Sequence, residues 1–186
     1  MRLGLVLLPP DDVSTMCVQY ARKLADGRSA RVIVGPGMLP HVTLLHVETE
    51  GTDLEPARVF EEARAALLPS YAVSFLALGL LRYDTPYNAP PSSPATMAWL
   101  IIPCTPALRD AEQRALALPF ARRAIVTTSQ GDAFQPHVTL AIWDGELAPA
   151  THSLPPELYA LRDVKCRLAL GVIGPNGTYE RTLFEV

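Results

Sequence analysis

The sequence PHVTL occurs twice, at residues 40–44 (the first motif) and 136–140 (the second motif). The two copies lie 96 residues apart in a chain of 186, so each half of the chain contains one. The same offset places Gly35 on Gly131, ahead of each motif, and also superposes an apolar start and a helical pattern, 1–6 on 97–102 and 13–24 on 109–120. One repetition of this length indicates a twofold duplication, because solenoids have shorter and more numerous repeats.

The spacing of apolar residues predicts strands and helices in the same order in both halves. Short apolar runs closed by proline or glycine are typical of strands, and apolar residues three and four apart are typical of amphipathic helices. The predicted strands are 2–8, 31–34, 40–48, 71–83, 97–102, 124–127, 136–143, 166–173 and 179–184. The predicted helices are 13–24, 56–67, 106–118 and 156–161.

These elements predict an α+β fold in a single domain, 1–186, built as a bilobal pseudo-twofold duplication. The halves are 1–84 and 96–186, and the proline- and serine-rich stretch 85–95 is the predicted linker. Each half is expected to form an antiparallel sheet with its helices on the outer face. The two sheets would then flank a central cleft.

Composition limits the classes of partner. The net charge of −3 gives no electrostatic surface for gripping a long nucleic-acid backbone. The three cysteines, Cys17, Cys104 and Cys166, are far apart, which disfavours a disulfide framework and a thiolate zinc site and fits a cytoplasmic protein. The apolar start at 2–8 ends in two prolines and is interpreted as a buried strand rather than a signal peptide. We expect a monomer without a membrane segment.

Alternation along a strand separates the residues of each motif into two sets. His41 and Thr43 share one face of the first motif, and His137 and Thr139 share one face of the second. The valine and leucine between them would face the helices. By the same alternation, His46 is expected on the face opposite His41.

Two histidines and two threonines facing one cleft suit displacement at phosphorus. The attacking and leaving oxygens lie on opposite sides of the phosphorus, so one side needs a proton acceptor and the other a proton donor. Histidine serves in either role near neutral pH. Threonine hydroxyls can donate to the non-bridging oxygens. Neither a metal nor a cofactor is required by this chemistry.

The two motifs, each a histidine, a hydrophobic residue, a threonine and a hydrophobic residue, resemble the signature of the two-histidine (2H) phosphoesterase superfamily. This superfamily includes 2'-5' RNA ligase-like proteins and cyclic nucleotide phosphodiesterases. The resemblance implies the bilobal fold, a metal-independent mechanism, and substrates with a cyclic phosphate or a 2'-5' phosphodiester. It further implies that His41 and His137 are the acid and base, and that Thr43 and Thr139 bind the phosphate.

The sequence therefore predicts a phosphoric diester hydrolase that acts on a nucleotide or a short RNA end, in the manner of an RNA-processing cyclic phosphodiesterase. Two alternatives stay open: a 2'-5' RNA ligase or 2'-5' phosphodiesterase, and a non-catalytic module that binds a nucleotide or RNA end. The near-symmetry of the motifs does not assign which histidine is the base.

Four further residues are candidates for contacting the substrate. Arg122 and Arg123 precede the second glycine loop, and guanidinium groups pair well with phosphate. Phe134 and Tyr87 lie in predicted loops, where an aromatic ring can stack on a base.

Overall fold

The computed structural model describes residues 1–48, 54–83, 95–145, 153–174 and 177–186. Within these ranges the protein has four helices and a large antiparallel sheet, which confirms the predicted α+β class. The strands are β1 (Arg2–Leu8), β2 (Ala30–Ile33), β3 (Val42–Glu48), β4 (Ser70–Val73), β5 (Ala77–Tyr83), β6 (Ala95–Ile101), β7 (Ile125–Val126), β8 (His137–Asp144), β9 (Val164–Ile173) and β10 (Tyr179–Glu185). The helices are α1 (Asp11–Ala25), α2 (Pro56–Ala66), α3 (Pro106–Ala117) and α4 (Pro156–Tyr159).

The described strands join in one hydrogen-bonded path, β10-β9-β1-β3-β8-β6-β5, with β2 beside β8, β4 beside β9 and β7 beside β3. The sequence predicted two separate sheets, whereas the described strands form one connected sheet. The motif strands β3 and β8 are joined by one residue pair, Val42 with Val138. This single pair connects the two parts of the sheet and brings the two motifs side by side.

Strands from the two halves of the sequence are interleaved. The late strand β9 pairs with β1, whereas the early strand β5 pairs with β6. The short strands are exchanged in the same way, because β2 pairs with β8 and β7 pairs with β3. Each motif strand is therefore flanked by strands of both halves, and its position depends on the whole chain.

One predicted strand is wrong in its extent. Residues 71–83 form two strands, β4 and β5, because the two ends of this stretch have different partners, β9 and β6. Ser74, Phe75 and Leu76 lie between them; Phe75 is buried, whereas Leu76 is exposed. An apolar run signals burial along its whole length but does not reveal a change of partner.

The main core lies between the sheet and the helices. Apolar residues of β1, β3, β8 and β9 meet those of α1, α2 and α3 there, and include Val42, Leu44, Val138 and Leu140. The first residue of α3 is a proline, and the Thr105 side chain accepts a hydrogen bond from the Leu108 N–H. The N-cap residue of α1 is Pro10, and Asp11 and Asp12 lie in the first helical turn.

The predicted linker 85–95 lies outside the described residues except for Ala95, the first residue of β6, so the boundary between the halves stays a prediction. Among the helices of the described ranges, none has both the length and the apolar character of a membrane span.

Candidate active site

A cavity of about 400 Å³ opens where the motif strands meet. It is lined by His41, Thr43, His137 and Thr139, the four residues that the motifs predicted to face one cleft. Val42 and Val138 lie on the other face of the sheet, in the core. Because β3 and β8 run antiparallel through that pair, the histidine of each motif faces the threonine of the other.

Each motif histidine is anchored by a backbone carbonyl two residues earlier. His41 Nδ1 lies 2.9 Å from the Leu39 oxygen, and His137 Nδ1 lies 2.7 Å from the Gln135 oxygen. In both cases the intervening residue is the motif proline, which restricts the preceding residue to an extended conformation. The carbonyl makes Nδ1 the protonated nitrogen of the neutral ring, so Nε2 is the nitrogen available to a ligand.

The two histidines have different surroundings. His41 is 9% exposed, and its ring lies 5.4 Å from that of Tyr179, whereas His137 is half-buried, with its ring 4.5 Å from that of Trp99. Burial lowers the pKa of His41 to about 4, against the opposing effect of the Leu39 carbonyl, and nearby His137 lowers it further. Burial also lowers the pKa of His137, opposed by the Gln135 carbonyl.

The site contains a third histidine, His46, and its predicted position was wrong. Leu5 pairs with Leu45 and Val6 pairs with Thr43, so Leu44 is an extra residue in β3. This β-bulge shifts the alternation by one residue, which turns His46 toward the cavity and both leucines toward the core. Burial, with His41 and His137 nearby, lowers the pKa of His46 to about 3.

The second motif strand has a bulge at the equivalent position. Ala98 pairs with Ala141 and Trp99 pairs with Thr139, so Leu140 is the extra residue of β8. The residue that corresponds to His46 is Ile142, which packs against Met97. The two half-sites thus share a backbone design and differ in this side chain.

The cavity walls are apolar and aromatic on the side of the second motif. Met97, Trp99, Leu81 and Phe134 line it. Phe134 was a predicted substrate contact, and the structure places it in the wall, with the Arg109 guanidinium 5.4 Å from its ring centre. Gly79 leaves space for the Trp99 indole, because a Cβ at this glycine would overlap the indole Nε1.

The loop ahead of the second motif is held by a buried carboxylate that the sequence analysis did not single out. Glu112 of α3 is 1% exposed, and its Oε1 accepts a hydrogen bond of 2.9 Å from the Gly131 N–H. Arg109 donates to the Gly131 carbonyl. Gly131 has a φ of 58°, in the region that favours glycine, whereas Gly35 has no such angle. The two glycine loops are therefore not equivalent.

Hydroxyl groups complete the cavity. Thr127, Thr128 and Ser129 follow β7 and line its rim, with Gln135 beside the second motif. The Thr127 N–H donates to the His46 carbonyl at 3.0 Å, which ties this loop to β3. None of the lining residues in the described ranges is lysine, arginine, aspartate or glutamate. The segments outside those ranges contain no lysine or arginine in their sequence.

The structure does not bring the predicted pair Arg122 and Arg123 to the cavity. They lie exposed in a 3-10 turn, Ala121–Arg123, and the Arg123 Nε donates to the Pro119 carbonyl at 3.3 Å. Tyr87 lies outside the described residues. Among the described histidines, cysteines and acidic residues, no group of three or more is placed to hold a metal ion.

Comparisons with known proteins support the fold. No protein-family model matches the chain, and no curated protein matches it. Among solved structures, the chain is similar to the crystal structure of TT0787 of Thermus thermophilus. The similarity covers 100% of this chain and 96% of that one, with a TM-score of 0.56 and 20% sequence identity. It shows a shared fold over the full length.

Proposed function

We propose that the protein is a metal-independent phosphoesterase of the two-histidine type, which hydrolyses a cyclic phosphate, 2',3'-cyclic or related, on a nucleotide or short RNA end. The observation that carries this proposal is the pairing of His41 and His137 in one cavity, each anchored through Nδ1. The threonines of both motifs line the same cavity. The duplicated order of elements in the two halves also agrees with the proposal.

The proposed reaction uses the two rings in opposite roles. Nε2 of one neutral histidine accepts a proton from the attacking water, and the new P–O bond forms. The P–O bond to the ribose oxygen breaks on the opposite side, and the other histidine, protonated, gives its proton to that oxygen. The product is a phosphate monoester. Thr43 and Thr139 donate hydrogen bonds to the non-bridging oxygens, where negative charge is held.

The burial of His41 favours one assignment of these roles. His41 is more deeply buried than His137, and burial disfavours the charged imidazolium. We therefore assign the base to His41 and the acid to His137. A protonated His137 then offsets the single negative charge of a phosphodiester.

The electrostatics of the cavity favour a ligand with one negative charge. Its described lining is formed by hydroxyl, amide, imidazole and apolar groups, without a lysine or arginine. Such a lining suits a phosphodiester monoanion and offers no lysine or arginine partner for further phosphates. We expect that adding a 5'-phosphate to a 2',3'-cyclic nucleotide does not lower its KM.

The test is hydrolysis of a 2',3'-cyclic nucleotide in the presence of a chelator. We expect turnover by the wild-type protein and a loss of roughly 100-fold or more in His41→Ala and His137→Ala, since each positioned proton transfer is typically worth that much. Arg122→Ala is the matched control, because this side chain is exposed and does not line the cavity.

Hydrolysis of other substrates and a nucleotide-binding measurement, made on the same variants, separate the alternatives. A 2'-5'-linked dinucleotide cleaved in preference to the cyclic nucleotide would favour a 2'-5' phosphodiesterase. Nucleotide binding that survives both histidine substitutions, with no turnover of any cyclic phosphate, would favour a binding module. Loss of all activity in chelator would contradict the metal-independent mechanism.

A further inference from the structure

His46 has a contact that sets the first half-site apart. Its Nε2 lies 3.3 Å from Thr43 Oγ1, within the cavity, and the residue is 8% exposed. We propose that His46 is a positioning residue whose Nε2–H donates to Thr43 Oγ1, which leaves the threonine proton free for a phosphate oxygen. This inference rests on the proposed function, because it concerns how Thr43 meets the phosphate.

The direction of this hydrogen bond follows from the inventory of donors. A threonine hydroxyl has one proton and two lone pairs. If it donates to a ligand oxygen, its partner at 3.3 Å must act as the donor. The imidazole of His46 has a pKa lowered to about 3 by burial, so it is neutral near pH 7 and carries one ring proton. The proposed role requires that proton on Nε2.

The backbone around His46 is held in place, and the neighbouring strand leaves room for side chains there. Gly4 is the partner of His46 on β1, and a Cβ at Gly4 would overlap the Ile173 side chain and lie 3.0 Å from the His46 Cδ2. The His46 backbone is held independently of its side chain, because its N–H lies 3.4 Å from Thr128 Oγ1 and its carbonyl accepts from the Thr127 N–H. Substitution of the side chain therefore leaves these backbone hydrogen bonds in place.

The second half-site has no equivalent donor in the described structure. Ile142 occupies the position that corresponds to His46, and the Thr139 hydroxyl lies 4.0 Å from Met97 Sδ, a weak acceptor. The two threonines thus present their hydroxyls to the phosphate in different ways. We expect the two non-bridging oxygens to be contacted unequally, with the better oriented hydroxyl at Thr43.

A double-mutant cycle tests the coupling on turnover of a 2',3'-cyclic nucleotide. His46→Ile copies the second half-site and is expected to lower kcat/KM roughly tenfold, because a misoriented Thr43 hydroxyl loses part of its hydrogen bond to the charged phosphate. In the Thr43→Val background, His46→Ile should lower kcat/KM little further, because the hydroxyl is already absent. In the Thr139→Val background, His46→Ile should still lower kcat/KM by the full factor of about ten. His46→Gln, which keeps a donor, should lose much less than His46→Ile.

In the mutant cycle, the proposal would be overturned by additivity of His46→Ile with Thr43→Val, by equal coupling to both threonines, or by an equal loss in His46→Gln and His46→Ile. The positioning role also predicts an unchanged pH profile of kcat/KM in His46→Gln, since His46 transfers no proton. A shifted profile would contradict it.

A measurement on the free protein separates this inference from the proposed function. Nitrogen-15 NMR of the histidine side chains should show His46 as the Nε2–H tautomer from pH 5 to 8, with a resonance that moves in Thr43→Val. The Nδ1–H tautomer would overturn the positioning role even in an active enzyme. Absence of turnover in the wild-type protein would instead overturn the proposed function. The tautomer of His46 would then still show whether its Nε2 donates to Thr43 Oγ1.

Discussion

At the scale of single residues, the site depends on histidines whose charge is controlled by burial. The Nδ1 contacts to Leu39 and Gln135 orient both motif rings and leave Nε2 for the ligand. The pKa values of His41 and His137 both lie below the ordinary value of 6.5. Charge at the site is therefore supplied by proton uptake rather than by fixed cations.

This leads to a prediction for the pH dependence of activity. The kcat/KM of a 2',3'-cyclic nucleotide should be bell-shaped, because His41 must be neutral and His137 protonated in the free enzyme. It should already decline as the pH rises toward 6.5, because the pKa of His137 lies below that ordinary value and the acid loses its proton there. It should also decline as the pH falls toward about 4, where His41 becomes protonated. An optimum above pH 7.5 would contradict the assignment.

His46 gives a second prediction, for stability. The unfolded chain protonates His46 below about pH 6.5, whereas in the folded protein its pKa is lowered to about 3. The unfolded state thus binds more protons between these values, and stability is lost as the pH falls from 6.5. For His46 alone this loss between pH 7 and pH 5 is roughly 2 kcal/mol.

The measurement compares the free energy of unfolding of wild type and His46→Gln in denaturant at both pH values. Glutamine does not titrate, so the loss between pH 7 and pH 5 should be smaller in the variant by about that amount. Equal losses in the two proteins would show that the His46 pKa is not lowered by folding.

At the scale of elements, the two bulged motif strands determine which side chains reach the cavity. His41, Thr43, His137 and Thr139 line one cavity, as the sequence predicted, because alternation holds over the first residues of each strand. The sequence misplaced His46, since the extra residue of a bulge has no sequence signature in this strand. Arg122 and Arg123 have guanidinium groups that could pair with a phosphate, but they lie before β7, which pairs with β3, and they do not line the cavity.

Strand β5 gives a third prediction, because Gly79 supports the wall beside His137. Gly79→Ala should displace Trp99, whose Nε1 would overlap the new methyl group. We expect a loss of stability of about 1–3 kcal/mol, as for overpacking, together with a lower kcat/KM. Gly37→Ala is the matched control, since a Cβ there meets nothing within 4 Å and its φ is not in the left-handed region. Equal effects of both substitutions would contradict this packing.

At the scale of the whole molecule, the site requires strands from both halves of the chain. The elements of each half follow the predicted order, but β9 pairs with β1 and β5 pairs with β6. The spacing of apolar residues predicted the elements, because it reflects which side chains within one helix or strand share a face. It could not predict the exchange of strands, because pairing partners far apart in sequence leave no periodic signal.

The exchange gives a fourth prediction. Residues 1–83 and 95–186, produced separately, should each fail to fold. Each fragment lacks the pairing partners of its own strands, because β1 pairs with β9 and β5 pairs with β6. Amide NMR spectra of the separate fragments should show poor dispersion, and mixing should restore the native pattern. A well-dispersed spectrum from either fragment alone would indicate that the halves are independent units.

A crystal structure with a bound nucleoside 2'- or 3'-monophosphate, the two products that opening a 2',3'-cyclic phosphate can give, examines the proposed site most directly. The phosphorus should lie between His41 and His137, with non-bridging oxygens within about 3.2 Å of the Thr43 and Thr139 hydroxyls. A phosphate bound elsewhere, with both imidazoles free of it, would contradict the two-histidine site.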